Sequence, residues 1–178
     1  MTKNDLAKEI YDVAHITGKF LLRSGKISNE YFDKYKFESI PTLLDSIASH
    51  MQELIPKETN ILAGLEMGGI PLASAISLKK NIPTIFVRKK AKEYGTRKLA
   101  EGTDFKGQKV CIIEDVVTTG GQIIESANEL RKLGAEIDSV LCVIVREDKA
   151  FENLSSANLN LIPLFSMKEI KEIVSVTD

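Results

Sequence analysis

Glu114 and Asp115 stand together after an apolar run, Val-Cys-Ile-Ile, and lead into Val-Val-Thr-Thr-Gly-Gly at residues 116–121. Successive N–H groups in a glycine turn ahead of a helix make a cradle for an anion. Thr118 and Thr119 add hydroxyl donors, and Gly120 and Gly121 let the backbone approach a phosphate closely. The two carboxylates repel that phosphate, so they must serve another part of the same ligand. Sugar hydroxyls donate to carboxylates, and a magnesium ion takes carboxylate oxygens directly or through water. A phosphate at one end, a diol in the middle and a metal-bound group beyond describe a phosphorylated ribose. Taken alone, the acidic pair has a plainer alternative, that of strand-end charges in solvent. The turn is neither a Walker loop nor a G-x-G-x-x-G dinucleotide turn, because the required spacings are missing.

Two further stretches carry cations. Residues 87–102, VRKKAKEYGTRKLAEG, hold Arg88, Lys89, Lys90, Lys92, Arg97 and Lys98 against Glu93 and Glu101. A strip of this kind is either a solvated face or, at the sheet edge that bears the acidic turn, a loop that closes over a diphosphate leaving group. Arg146 ends the apolar run VIVR. Its planar, forked donor suits an anionic partner. A salt bridge to Glu147 or Asp148 is the alternative.

The elements that must position these residues follow from periodicity. Leu6, Ile10, Val13 and Ala14 predict a helix over NDLAKEIYDVAHIT, capped by Asn4 or Asp5. FLLRSGKISNEYFDKY reads as a hairpin about a Ser-Gly turn, and TLLDSIASHMQELI as a helix opened by Pro41. From residue 60 onward, apolar strands alternate with helices: NILAGLE, MGGIPLASAISLKK, PTIFVRK, KVCIIED, GQIIESANELRKLG and SVLCVIV. Gly134 is the expected stop of the fifth of these. NLIPLFSMKEIKEI closes the chain as a last strand and helix. His15 and His50 fall in helical patterns with no chemistry assigned to them. The alternation predicts an α/β fold, a mostly parallel central sheet flanked by helices. In 178 residues this is one domain over 1–178, with hood elements at roughly 16–40 and a tail at 155–178 packed on it.

With 24 basic against 25 acidic residues, a global basic face for nucleic acid is not expected. Cys111 and Cys142 lie in apolar runs and read as buried thiols rather than zinc ligands or a disulfide. The N-terminus lacks the apolar core of a signal peptide, and no run reaches membrane-spanning length. A cytoplasmic protein with no membrane partner is expected.

VCIIEDVVTTGG resembles the phosphoribosyl-diphosphate motif of the type I phosphoribosyltransferases. The resemblance implies that Glu114 and Asp115 take the ribose O2 and O3. Val116, Val117, Thr118, Thr119, Gly120, Gly121 and Gln122 would wrap the 5-phosphate. Residues 87–102 are similar to the catalytic loop of the orotate phosphoribosyltransferases, which implies that Arg88, Lys89 and Lys92 contact the diphosphate. It also implies a homodimer in which residues 88–102 are shared between subunits. Tyr94 departs from the family, many of whose members carry histidine there, and tyrosine offers no cation near neutral pH. FLLRSGKISNEYFD looks like the family's hood. Arg23 stands where some members place a lysine that contacts the base, and Lys26 reads as a turn residue in solvent. Arg146 and Thr118 would contact orotate. The implied reaction uses Mg2+, with no residue assigned as its ligand, and joins orotate to 5-phosphoribosyl 1-diphosphate. Lys92, Glu114 and Asp115 carry the catalytic expectation. A purine or xanthine phosphoribosyltransferase is one rival. Another is a non-catalytic regulator of the same fold that senses the diphosphate substrate.

Overall fold

The computed structural model describes residues 1–21, 25, 27–89 and 99–176. The chain opens with α1 (Lys3–Ala14), whose N-cap is Thr2 rather than the expected Asn4 or Asp5. The Thr2 hydroxyl accepts the Asp5 N–H at 3.2 Å, satisfying one of the free donors of the first turn. Leu6, Ala7, Ile10 and Ala14 form its buried stripe. The helix ends one residue before His15, which opens the hairpin β1 (His15–Leu21) and β2 (Ile27–Phe32). The hairpin therefore begins five residues earlier than expected, and His15 is a strand residue.

A short helix that the periodicity did not disclose, α2 (Lys34–Glu38), follows, then α3 (Pro41–Met51) with Pro41 in its first turn. The alternating region consists of β3 (Ile61–Leu65), α4 (Gly69–Lys80), β4 (Thr84–Val87), β5 (Ala100–Gly102), β6 (Lys109–Val117), α5 (Gly121–Lys132) and β7 (Glu136–Val145). It continues through α6 (Lys149–Ser156), β8 (Asn160–Ser166) and α7 (Met167–Ser175). β5 and α6 were not foreseen. Three residues cannot display a period, and α6 buries only Ala150 and Leu154. Ser166 and Glu169 form a reciprocal capping box at the start of α7, which fixes where the last strand gives way to helix.

The six-stranded sheet runs β5-β4-β3-β6-β7-β8, parallel throughout except for the antiparallel edge strand β5. This agrees with the expected mostly parallel sheet. From β3 the chain moves outward to β4; it then returns to β6 on the other side and proceeds to β7 and β8. The crevice between the carboxyl ends of β3 and β6 is therefore the topological switch point, where open α/β sheets place ligands.

Strand periodicity divides the core between the two faces. Leu62, Cys111, Ile113, Leu141 and Val143 pack with α1, α3, α4 and α7. Ile61, Ala63, Val110, Ile112, Val140 and Cys142 pack with α5 and α6. Both cysteines are free and fully buried, as expected of core thiols. Burial pushes the Cys111 thiol up to about 12, so it is no nucleophile near neutral pH.

Helix α4 approaches β3 with no side chain between them. A Cβ on Gly64 would lie 2.7 Å from the Gly69 carbonyl oxygen, 2.9 Å from Ile70 Cα and 3.0 Å from Ala73 Cβ. Because backbone atoms cannot swing aside, Gly64→Ala should lower stability by about 2 kcal/mol, read as an earlier urea midpoint. An unchanged midpoint would mean that α4 is free to shift.

Candidate active site

At the switch point lies a cavity of about 350 Å³ whose lining comes from four parts of the chain. The end of β6, the turn after it and the start of α5 contribute Val116, Val117, Thr118, Thr119, Gly120, Gly121, Gln122 and Ile123. Glu66 and Met67 come from the turn after β3, Lys89 follows β4, and Lys34 and Tyr35 reach over from α2. Gly120 has φ +80°, a left-handed conformation that favours glycine, and no side chain caps α5 behind it. The first N–H groups of α5 are therefore left for a ligand. Helix α6 fixes the turn from outside, because Asn153 Nδ2 donates to the Thr119 carbonyl at 2.8 Å and Leu154 packs on Gly120.

The carboxylate pair divides. β6 does not end at Asp115 as expected but runs on to Val117, so both acids lie within the strand and point to opposite faces. Glu114 lines the cavity. Asp115 is fully buried and turns toward α2. There Lys34 Nζ lies 2.8 Å from Oδ1 and 2.6 Å from Oδ2, and the Val116 N–H donates to Oδ1. Glu114 accepts the Asp115 N–H at 2.9 Å.

Three carboxyls and one ammonium share this space. Burial pushes Glu114 up, and the neighbouring Asp115 adds to the rise. Burial acts against Asp115 too, but hydrogen bonds with Glu114 and Lys34 outweigh it and hold the carboxyl below its usual value. Burial alone would lower Lys34, and Asp115 reverses this so that the ammonium is held above its ordinary value. Glu38, at the end of α2, is pushed up to about 9 by burial and then by the Asp115 charge. Among the described residues no group of three or more His, Cys, Asp or Glu could hold a metal ion. An ion at this site would need oxygens from the ligand.

Of the cationic strip, Lys89 lines the cavity, and its N–H donates to the Glu66 carboxylate. Arg88 stands behind the lining, half-buried, with its N–H on the Leu99 carbonyl at 2.9 Å. Lys92 and Tyr94 lie outside the described residues, as do Arg23 and Lys26. Arg146 opens a second cavity of about 120 Å³, lined by Tyr31, Phe32, His15, Glu30 and Lys171 among others. It has no ion pair with Glu147 or Asp148, the plainer role considered for it. Thr118 and Arg146 thus face different cavities. They remain close in the fold, because the Arg146 N–H donates to the Val117 carbonyl at 2.8 Å. His15, assigned no chemistry, lies 2.8 Å from Glu30 beside Arg146.

Sequence reasoning missed Lys34, Tyr35, Glu66, Met67 and Glu38. Glu66 and Met67 had a signal, since GLEMGG repeats the β6 pattern of apolar strand, acid and glycine pair. No signal marked α2, which is too short for a period.

The chain matches a family profile described as phosphoribosyl transferase domain over residues 36–170. It is 47% identical over 165 residues to an orotate phosphoribosyltransferase of a Nocardioides species, covering 93% of this chain and 92% of that one. An orotate phosphoribosyltransferase of Methanocaldococcus jannaschii is 42% identical, covering 86% and 88%. The fold superposes on the crystal structure of orotate phosphoribosyltransferase from Aeropyrum pernix with a TM-score of 0.84 at 28% identity, covering 96% of this chain and 98% of that one.

Lys34→Met should leave Asp115 buried without its counter-charge. The expected loss is about 2–3 kcal/mol, at the low end for a buried pair because Lys34 is partly exposed. Asp115 is depressed in the folded state, so the pair stabilises at neutral pH and its contribution disappears as acid protonates the carboxylate. Wild type and variant should therefore converge in urea midpoint as pH falls below 3.8, the usual value for aspartate.

Proposed function

The chain belongs to the phosphoribosyl transferase family and, within it, to the orotate phosphoribosyltransferases; from that premise we propose how its residues divide the reaction. The C1–oxygen bond of 5-phosphoribosyl 1-diphosphate breaks, and C1 bonds to N1 of orotate. The products are orotidine 5′-phosphate and diphosphate, a step of pyrimidine nucleotide synthesis. The observation that carries this reading is the uncapped α5 N-terminus behind Thr118–Gly121, facing Lys89 across a cavity that Glu114 also lines.

In this reading the 5-phosphate rests on the N–H groups and hydroxyls of residues 116–122. Glu114 accepts from the ribose hydroxyls, and Asp115 anchors the shelf from behind. The transferred carbon gains positive charge and the leaving oxygens gain negative charge. A carboxylate at Glu114 attracts a carbon that gains positive charge more than one that carries none, so it stabilises the transition state more than the substrate. Lys89 at the rim, with Arg88 and the family-implied Lys92, offsets the charge of the departing diphosphate. Mg2+ carried on the substrate's oxygens would neutralise part of that same charge. No covalent nucleophile is involved, which agrees with buried, inert thiols.

Orotate belongs at the Arg146 cavity, where Tyr31 and Phe32 offer flat walls and Arg146 a forked cation for the ring's carboxylate. Thr118 would reach the ring from the phosphate side. A purine enzyme would have no use for a cation there, and a regulator would release no diphosphate. The same proposal includes a homodimer sharing residues 88–102. Two free cysteines suit a reducing cytoplasm.

Diphosphate release should require Mg2+, the diphosphate substrate and orotate together, with purines inactive. Arg146→Ala should raise KM for orotate by about 10- to 100-fold, the value of a charged hydrogen bond, and leave KM for the diphosphate substrate nearly unchanged. If the loop serves the neighbouring subunit, mixing Lys92→Ala with Glu114→Gln chains should restore part of the activity that each lacks alone. Mixtures as inactive as the separate variants would place the loop over its own subunit.

A further inference from the structure

One buried acid has no part in the transfer chemistry. Glu38 closes α2 and is only 8% exposed. Its Oε1 is buried without a hydrogen-bond partner, and Asp115 Oδ2, within ion-pair reach of Lys34, likewise lacks a directed hydrogen bond. The two atoms converge on one place. A Cβ built on Gly68 would overlap Asp115 Oδ2 and lie 2.7 Å from Glu38 Oε1. Two acceptor oxygens meeting in a dry space repel each other unless a proton lies between them.

We infer that Glu38 is a positioning residue, held protonated, whose O–H donates to Asp115 Oδ2 and so clamps α2 onto β6 beside the turn at residues 66–68. These are three of the walls of the cavity, and their use for a phosphoribosyl ligand rests on the functional reading above. The surrounding charges allow this arrangement. Asp115 and Glu114 come from β6, Lys34 and Asp33 belong to the start of α2, and the turn ahead of α4 contributes the uncharged Gly68. Only Asp115 holds both the ammonium and a backbone N–H, so it keeps the negative charge and Glu38 keeps the proton. A neutral carboxyl adds a hydrogen bond here without adding to the crowd of anions.

The sign of the pH effect follows. Between the ordinary glutamate value of 4.5 and about 9, the folded chain holds a proton that the unfolded chain has released. The contribution of Glu38 to stability therefore falls as pH rises across that window and levels off above it. Glu38→Gln keeps the shape and the donor and does not titrate. Its melting temperature should pull ahead of wild type by several degrees between about pH 5 and pH 9. At neutral pH, its KM for the diphosphate substrate should stay within about twofold of wild type, while Glu38→Ala raises that KM by about tenfold. Above about pH 9 the wild-type KM should climb and that of Glu38→Gln should not.

Carbon-13 NMR of the wild-type Glu38 carboxyl decides the matter without any variant. Titration far above the ordinary range supports the inference, and titration near 4.5 overturns it. Parallel pH profiles for wild type and Glu38→Gln, or equal damage in the Gln and Ala variants, would also overturn it. A wild-type chain that folds but transfers nothing to orotate would defeat the functional reading instead, and the carboxyl titration would still decide the state of Glu38.

Discussion

Lys34 is the counter-charge of a carboxylate that has no access to water. Isolating Asp115 in the interior costs several kcal/mol, and an ion pair seldom returns more than that cost. What the pair contributes is geometry. The ammonium can reach Asp115 only if α2 lies across the carboxyl ends of β3 and β6, and that placement brings Lys34 and Tyr35 into the cavity wall. Helix α2 is thus tied to the sheet by charge at the edge of the larger cavity. An apolar contact of the same area would hold the elements together without specifying which residue faces which.

The rest of the site follows from the switch in strand order. The chain leaves β3 in one direction and β6 in the other, so the two turns diverge and leave a crevice that neither fills. Each turn begins a helix, and each uses glycine where a side chain would collide. At Gly68 the obstacle is the Asp115 carboxylate; at Gly120 it is Leu154 of α6. The glycines thus serve the carboxylate and the buttressing helix, whatever the cavity holds.

Much of this was legible in the residues. The β6–α5 passage has a strand period, a glycine turn and a helix period in succession, and its cavity-lining residues from Val116 to Gln122 were all singled out. The split of Glu114 from Asp115 was legible in principle. It required knowing that the strand continues through Val116 and Val117, and two valines before a threonine fit the end of a strand as well as the start of a loop. α2 was beyond reach, because five residues show no period and the helix is held by a partner 81 positions away. β5 exists only as the antiparallel mate of β4, and α6 is held by its packing on one face of the sheet and by the Asn153 bond to the Thr119 carbonyl. Each of these depends on a contact distant in sequence, to which local patterning is blind.

The two cavities suggest how such a fold separates common chemistry from choice of base. The larger one is formed by the ends of β3 and β6 and handles sugar and phosphates in the proposed reaction. The smaller one is formed by the end of β7, the hairpin, α1 and α7, and Arg146 and Lys171 are its cations. A parallel ladder joins the strand that carries one to the strand that carries the other, and the Arg146 N–H donating to the Val117 carbonyl extends it to the cavity mouths. In the proposed reaction, the pairing of β6 with β7 would set how far the base stands from the sugar carbon it attacks. Side chains around the smaller cavity can change without moving the turn at residues 118–120, whereas a slip in the β6–β7 register would displace both cavities at once.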